Sequence, residues 1–278
     1  MTLTNLNEIA EYIVSNGKGI LAADESTGTI KKRFDSINTE STAQSRKAYR
    51  EMLFQADGMK GNIGGVILFE ETLKQISDDG TSLVKVISNQ GALPGIKVDK
   101  GLSPINDNSE ETVTNGLDDL DQRCKEYFEL GAKFTKWRAV INIGNDVPTD
   151  NCINENMHRL ANYAKIVQTN KMVPIVEPEV IMDGSHSIDE CYEVTSRVLK
   201  SLFKHLKDKN VDITGTILKP NMVISGNSCP IQAGVKEVAE KTVKCLLENV
   251  PEELPGITFL SGGQSDIDAT AHLDAMNK

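Results

Sequence analysis

The chain lacks several features that identify common classes of protein. None of its apolar runs reaches the roughly 20 residues that span a bilayer, and its polar start does not resemble a secretory signal. The five cysteines contain no Cys-x-x-Cys pair, and the four histidines show no metal-ligand spacing. Phosphate-loop and dinucleotide-binding motifs are also missing. We therefore expect a cytoplasmic protein with reduced cysteines, no membrane association, and neither a metal nor an organic cofactor.

An excess of positive charge is lacking as well. The net charge is −10, and the isoelectric point is near 5.0. Both values argue against a protein that binds nucleic acid through bulk charge. They remain compatible with an anionic substrate, because a few local lysines suffice to hold phosphate groups.

Short apolar runs alternate with longer helix-like segments along all 278 residues. Several of these runs are rich in Val and Ile and are flanked by Gly or Pro, which is typical of buried parallel strands. The seven predicted strands are Gly19–Ala23, Gly65–Phe69, Gly95–Asp99, Phe134–Ile141, Val173–Glu177, Gly215–Lys219 and Ile257–Ser261. From the third strand onward, their ends follow one another about every 40 residues, without a break in composition. We therefore predict one domain, residues 1–278, with a (β/α)8 barrel fold in preference to an open doubly wound sheet.

The predicted strands number seven, whereas a closed barrel of this type has eight. One helix, at about residues 266–277, follows the last predicted strand before the given sequence ends. We expect either a miscounted strand or a C-terminally incomplete barrel that contains about seven βα units.

Lys219 lies at the end of a predicted buried strand. Loss of water lowers the pKa of a buried lysine and favours its neutral, nucleophilic form. A neutral lysine can condense with a ketone to form a Schiff base. An isolated lysine in a strand more often extends its amine to solvent. Here, however, other predicted strands also end in charged residues, which favours a shared site.

These strand ends meet at one mouth of a barrel. Glu177 and Glu179 are two positions apart and therefore point to the same side of their strand. Such a pair suits general acid–base catalysis, although an ordinary salt-bridge pair gives the same pattern. Lys97 and Lys136 add positive charge near Lys219. They either favour Schiff-base formation or hold a phosphate or an oxyanion.

A turn of Ser261, Gly262 and Gly263 follows the last predicted strand and precedes a helix. The backbone N–H groups of such a turn can bind phosphate, and the loops after strands 7 and 8 are the usual phosphate site of a barrel. A Gly-Gly turn is also compatible with a purely structural role.

Seven stretches of the chain resemble the class I fructose-bisphosphate aldolases, and they occur in family order through nearly all of it. These stretches are Gly19–Gly28, Gly64–Phe69, Gly95–Gly101, Lys136–Arg138, Val173–Glu179, Leu218–Met222 and Phe259–Ser265. The resemblance implies a metal-independent lyase of glycolysis and gluconeogenesis. Such an enzyme cleaves fructose 1,6-bisphosphate reversibly to dihydroxyacetone phosphate and glyceraldehyde 3-phosphate.

The resemblance also implies roles for individual residues. Lys219 forms the Schiff base, Glu177 is the acid–base for carbinolamine formation and dehydration, and Asp24 takes part in proton transfer during C–C cleavage. Lys136 and Glu179 support the site electrostatically. The implied substrate and phosphate contacts are Arg33, Arg46, Ser26, Lys97, Arg138, Ser261, Gly262 and Gly263. The expected partner is a sugar phosphate, and the expected assembly is a homotetramer.

The chain differs from this family pattern in its last part. The family continues with an eighth strand that carries a phosphate-binding arginine, a final helix and a tail ending in tyrosine. Thr29 also replaces a serine that is common in the phosphate-contacting turn. Two alternatives therefore stand beside an active aldolase. One is a short form that acts as a binding or scaffold protein, and the other is a Schiff-base aldolase for a different substrate.

Overall fold

Six parallel strands form one sheet in the computed structural model, which describes residues 3–107 and 110–278. In spatial order the strands are β1 (Gly19–Ala23), β2 (Ile63–Leu68), β3 (Leu93–Lys97), β6 (Phe134–Ile141), β7 (Val173–Val180) and β8 (Ile217–Leu218). The order follows the sequence, so each connection crosses to the next strand in the same direction. The sheet is a curled half-barrel with helices packed against it. The predicted α/β barrel class is confirmed.

Ten α-helices connect and flank the strands in the part of the chain that the structure describes. They are α1 (Leu6–Ile13), α2 (Thr27–Ser36), α3 (Ala43–Gln55), α4 (Glu70–Leu73), α5 (Leu83–Asn89), α6 (Leu120–Glu129), α7 (Asp150–Thr169), α8 (Ile188–Asp208), α9 (Val235–Asn249) and α10 (Asp266–Met276). Short 3-10 turns cover Asp57–Met59 and Ile213–Gly215. Capping side chains fix several helix starts. For example, Ser187 and Glu190 form a capping box at α8.

Glycine allows two close contacts beneath the sheet. A Cβ on Gly64 in β2 would lie 2.1 Å from the carbonyl oxygen of Ile13, the last residue of α1. A Cβ on Gly95 in β3 would lie 2.3 Å from the Phe134 ring. These positions need glycine because another element occupies the space of a side chain. The first contact places α1 across one end of the sheet, and the second packs β3 closely against Phe134 of β6.

The seventh predicted strand, Ile257–Ser261, is not a strand in the structure. It runs beside β8 and makes one parallel bridge, between Leu218 and Ile257. Thr258 N donates to Leu218 O at 2.9 Å, and Leu260 N donates to Pro220 O at 3.2 Å. These bonds place the segment where a seventh strand would lie. Within the described residues, no strand pairs with the outer edge of β1, so the barrel is open between β1 and this segment.

Other predicted boundaries were partly wrong. β7 extends to Val180 and all eight of its residues are buried, so Glu177 and Glu179 lie inside the strand. β8 is only two residues long because residues 213–215 form a 3-10 turn, capped by the side chain of Asp212. The sequence also gave no indication of the antiparallel pair β4 (Leu102–Pro104) and β5 (Thr112–Thr114).

Candidate active site

Parallel register brings charged side chains of neighbouring strands to one level. Lys97 of β3 pairs with Lys136 of β6, and Arg138 of β6 pairs with Glu177 of β7. Asp24 follows the last residue of β1 directly, and Lys219 follows the last residue of β8. The sheet therefore gathers these groups from five of its strands.

Four side chains form a connected cluster at the centre of this level. Lys136 Nζ lies 2.9 Å from Asp24 Oδ2 and 3.2 Å from Glu177 Oε2. The other oxygen of Glu177, Oε1, accepts a hydrogen bond from Lys219 Nζ. Glu177 is 3% exposed and Lys136 is 5% exposed. One buried carboxylate thus joins two amines, and one of these amines also contacts a second carboxylate.

The environment of Lys136 keeps its amine in the ammonium form. Burial tends to lower the pKa of Lys136, but the negative charges of Glu177, Asp24 and Asp99 outweigh this effect, so the pKa lies above its ordinary value. Lys136 is therefore a fixed positive charge at neutral pH. It can neutralise neighbouring carboxylates and donate hydrogen bonds, but it cannot act as a neutral nucleophile.

Arg138 and Glu179 form a second pair beside this cluster. The guanidinium Nε of Arg138 donates to Glu179 Oε2. Burial tends to lower the pKa of Arg138, while the hydrogen bond to Glu179 raises it. The effect of the hydrogen bond is larger, so the pKa lies above its ordinary value. The Glu179 side chain is buried, whereas that of Arg138 is 42% exposed. The outer part of the guanidinium is thus available to a ligand while its inner edge is fixed.

A cleft of about 620 Å³, here called the mouth cleft, opens above Lys136. The predicted site residues that line it are Asp24, Ser26, Arg33, Lys97, Lys136 and Arg138. All four of these cations are paired with carboxylates, and the partners of Lys97 and Arg33 complete the set. Lys97 Nζ lies 2.6 Å from Asp99 Oδ1, and Arg33 lies 2.7 Å from Glu25 Oε1. A phosphate entering the cleft would meet cations whose positions are already set by carboxylates.

Lys219 lines a different opening, here called the edge groove. This groove of about 580 Å³ lies between Lys18–Ile20 at the start of β1 and Ile257–Phe259. Side chains of α9 and α10 form its outer wall. The groove coincides with the open edge of the barrel. Glu177 therefore lies between two openings, with Lys136 towards the mouth cleft and Lys219 towards the edge groove.

The turn of Ser261, Gly262 and Gly263 lies next to Glu179. A Cβ on Gly262 would be 4.0 Å from Glu179 Oε1. Gly262 and Gly263 have φ values of 62° and 90°, a left-handed conformation that favours glycine. This placement puts the predicted phosphate-binding turn at the same end of the sheet as the lysine and carboxylate cluster.

Arg46 lies outside the set of residues that line the mouth cleft. Its guanidinium on α3 makes a two-pronged contact with Glu71, at 2.6 Å and 2.9 Å. The bond to Glu71 raises the pKa of Arg46. The structure thus pairs Arg46 with Glu71. A contact between Arg46 and the substrate stays a prediction.

Sequence reasoning missed a buried arginine behind the site. Arg50 on α3 is 0% exposed and donates to the Glu25 carbonyl at 2.7 Å and to the Thr72 hydroxyl at 2.6 Å. Its charge also lies 3.8 Å from the carboxylates of Glu25 and Glu71. Arg50 therefore joins the ends of β1 and β2. No local sequence signal distinguishes it from Arg46, the other arginine of α3.

Among the described residues, no group of three or more His, Cys, Asp or Glu side chains is arranged to hold a metal ion. In the same part of the chain, none of the helices has the length and apolar character required to cross a membrane.

Comparisons with known proteins agree with this geometry. The family model described as fructose-bisphosphate aldolase class-I, in the glycolytic group, matches residues 5–278. A probable fructose-bisphosphate aldolase class 1 of Xanthomonas campestris is 53% identical over 278 residues, covering 100% of this chain and 83% of the relative. Fructose-bisphosphate aldolase 5, cytosolic, of Arabidopsis thaliana is 52% identical over 273 residues, covering 98% and 76%.

A solved structure shows the same fold. It contains fructose-bisphosphate aldolase from Plasmodium falciparum in complex with TRAP and a small-molecule inhibitor, and it matches with a TM-score of 0.96 at 49% identity. The match covers 98% of this chain and 79% of that chain.

Proposed function

Because the chain belongs to the class I fructose-bisphosphate aldolase family, we propose that it cleaves fructose 1,6-bisphosphate through a Schiff base on Lys219. Reversible cleavage through a lysine Schiff base, in glycolysis, is the function of this family. One observation carries the proposal for this chain. Lys219 shares the buried Glu177 with Lys136, and Lys136 also contacts Asp24. A nucleophile, a proton carrier and a fixed cation are thus in contact before any substrate binds.

In the first half of the reaction, the neutral amine of Lys219 attacks the C2 carbonyl of the ketose. Glu177 Oε1 contacts this amine, so it is placed to take a proton from nitrogen and to return it to the departing hydroxyl. Loss of water from the carbinolamine then gives the protonated Schiff base. Lys136 stabilises the charge of Glu177 throughout, because its pKa is raised and it stays protonated.

In the second half, Asp24 accepts the proton of the C4 hydroxyl as the C3–C4 bond breaks. The bonding electrons move towards the positively charged nitrogen, which acts as the electron sink and gives an enamine. Glyceraldehyde 3-phosphate leaves first. Protonation of the enamine at C3 and hydrolysis then release dihydroxyacetone phosphate and free Lys219. Asp24 is suited to this role since its carboxylate faces the mouth cleft and is held by Lys136.

The phosphates and hydroxyls of the substrate are assigned to the surrounding polar groups. Lys97 and Arg138 contact substrate oxygens, and Glu179 holds Arg138 in place. The proposed phosphate contacts are Arg33, Arg46, Ser26, Ser261, Gly262 and Gly263. The substrate is a sugar phosphate, as in the family. We extend the proposal to a homotetramer in the cytosol, and the plant relatives named cytosolic support the second part.

Borohydride trapping tests the proposal directly. The purified 278-residue chain is incubated with dihydroxyacetone phosphate, reduced, and analysed by intact mass and peptide mapping. We expect one adduct, on Lys219, together with cleavage of fructose 1,6-bisphosphate in a coupled assay. Lys219→Met is the negative control. A folded protein that forms no adduct would refute the Schiff-base assignment and favour a binding or scaffold role. Cleavage of other phosphorylated ketoses in preference to the bisphosphate would refute the substrate assignment.

A further inference from the structure

Helix α10 contacts the rest of the protein through a buried histidine. It is an 11-residue helix, all of which the structure describes, and His272 is its one buried residue. The apolar side chains of Ile267 and Leu273 on the same helix are 81% and 44% exposed. A helix normally packs through apolar side chains. Met276 of α10 also packs against the core, so the buried His272 adds a polar contact to an apolar one.

His272 contacts Gln264, which immediately follows the Ser261-Gly262-Gly263 turn. His272 Nδ1 lies 2.6 Å from Gln264 Oε1. The amide nitrogen of Gln264 donates to the Ser261 carbonyl at 2.8 Å and contacts Met222 Sδ at 3.7 Å. The backbone N–H of Gln264 donates to the same Ser261 carbonyl at 3.2 Å. The Gln264 side chain thus connects α10 to the first residue of the turn and to the segment that follows Lys219.

This arrangement fixes which atoms carry hydrogen. The Ser261 carbonyl can only accept, so the Gln264 NH2 group must face it and the Gln264 oxygen must face the histidine. His272 Nδ1 is therefore the donor. Rotating the amide by 180° would oppose two oxygens at Ser261. The Ser261 carbonyl therefore sets the orientation of Gln264, and the hydrogen bond from His272 holds the amide in that orientation.

We propose that His272 is a positioning residue for phosphate binding, which acts by holding Gln264 against the Ser261-Gly262-Gly263 turn. The proposal rests on the assignment of that turn as a phosphate site under the proposed function. In the described part of the chain, the N–H groups of Gly262 and Gly263 donate no hydrogen bond. The direction of these N–H groups depends on the conformation of the turn. The hydrogen bonds from Gln264 to the Ser261 carbonyl restrict that conformation. His272 itself touches neither substrate nor the lysine cluster.

Replacement of His272 by leucine removes the donor and leaves the Gln264 oxygen without a partner in a half-buried position. The amide then rotates towards water and releases the turn. Loss of one preorganised hydrogen bond corresponds to about a fivefold weakening of phosphate binding. The lysine and carboxylate cluster is unchanged. We therefore expect the KM for fructose 1,6-bisphosphate and the inhibition constant of inorganic phosphate to rise about fivefold, with kcat changed less than about twofold.

Three variants separate positioning from a general effect on α10. His272→Leu removes the donor, His272→Asn restores an N–H donor of similar reach, and Ile267→Ala alters an exposed side chain of the same helix. The proposal expects a raised KM for His272→Leu and a KM much closer to that of the wild type for His272→Asn. Ile267→Ala should have the wild-type KM and kcat. It is overturned if His272→Asn behaves like His272→Leu, if Ile267→Ala raises KM equally, or if kcat falls while KM is unchanged.

A second substitution covers the case in which His272→Leu does not fold. Gln264→Leu breaks the same connection from the other end and leaves the histidine in place, so it should raise KM by a similar factor. Where both variants fold, the double variant should be no worse than either one, because both substitutions break one path. Full additivity would contradict a shared path.

Failure of the proposed function is distinguishable from failure of this inference. If the wild-type chain forms no Lys219 adduct and has no activity, binding of inorganic phosphate is measured by titration calorimetry on the wild type and His272→Leu. Weaker binding in the variant supports the inference without catalysis. Equal binding, or no phosphate binding by the wild type, overturns it.

Discussion

Lys136 offers the sharpest test of how the site is held together. It is 5% exposed and lies 2.9 Å from Asp24 and 3.2 Å from Glu177. With an effective dielectric constant of about 20, each contact contributes about 5 kcal/mol of Coulomb attraction, and burial of the ammonium offsets most of it. Lys136→Met removes the cation, keeps the volume, and leaves the buried Glu177 and the half-buried Asp24 without this counter-charge.

Breaking a buried ion pair from one side costs about 3–5 kcal/mol. For 278 residues and an unfolding entropy of about 2.1 cal/mol/K per residue, the melting temperature should fall by about 5–9 °C. Catalysis should fall by at least about 100-fold, because the acid–base groups lose their counter-charge. Differential scanning calorimetry and the coupled cleavage assay measure the two effects.

Lys74 provides a matched control for this prediction. Its amine also contacts two carboxylates, Glu70 at 3.0 Å and Glu126 at 2.8 Å, but its side chain is 44% exposed. Exposed pairs contribute about 0–1 kcal/mol, so Lys74→Met should change the melting temperature by no more than about 2 °C. If Lys136→Met lowers the melting temperature no more than Lys74→Met does, burial does not strengthen the Lys136 contacts. The electrostatic account of the site is then refuted.

Three further predictions concern other buried positions in the fold. Arg50→Met should lower the free energy of unfolding by about 3 kcal/mol, because the fully buried guanidinium holds Glu25; a loss below about 1 kcal/mol in urea unfolding would contradict this. Burial lowers the pKa of His186 below the ordinary value of about 6.5, so stability should be full above that pH and decline as pH falls below it. His186→Gln should flatten this decline, and an unchanged pH profile of the melting temperature would count against the assignment. Gly64→Ala should cost about 1–3 kcal/mol or reduce soluble expression, since the new Cβ meets the Ile13 carbonyl at 2.1 Å.

The sequence predicts the fold class well because buried parallel strands leave a local signal. Val- and Ile-rich runs between Gly and Pro identify all six sheet strands to within a few residues, and polar residues at their ends predict one shared site. Their register then determines which side chains meet. The apolar residues of α7 also recur at helical spacing, and two of them, Met157 and Leu160, are 0% exposed.

The remaining features depend on contacts between distant residues. Glu177 and Glu179 do not resemble the interior of a strand, and β7 continues through them because Lys219 and Arg138 supply the opposite charges. The burial of Arg50 likewise requires the end of β1 to lie beside α3 and α4. Local propensity carries no information on such pairs, which explains why the strand limits and this arginine were missed.

The same contacts distinguish two similar lysines and support the proposal that Lys219 is the nucleophile. Both Lys136 and Lys219 contact Glu177, and both are held by strands of the same sheet. Lys136 has a second carboxylate, Asp24, and its raised pKa keeps it protonated. Among the described residues, Lys219 contacts one carboxylate, Glu177, and it lines the edge groove. The difference arises from Asp24 at the end of β1, which is five strands away from Lys219 in the open sheet. The proposed division of roles between the lysines is therefore a consequence of the curl of the sheet.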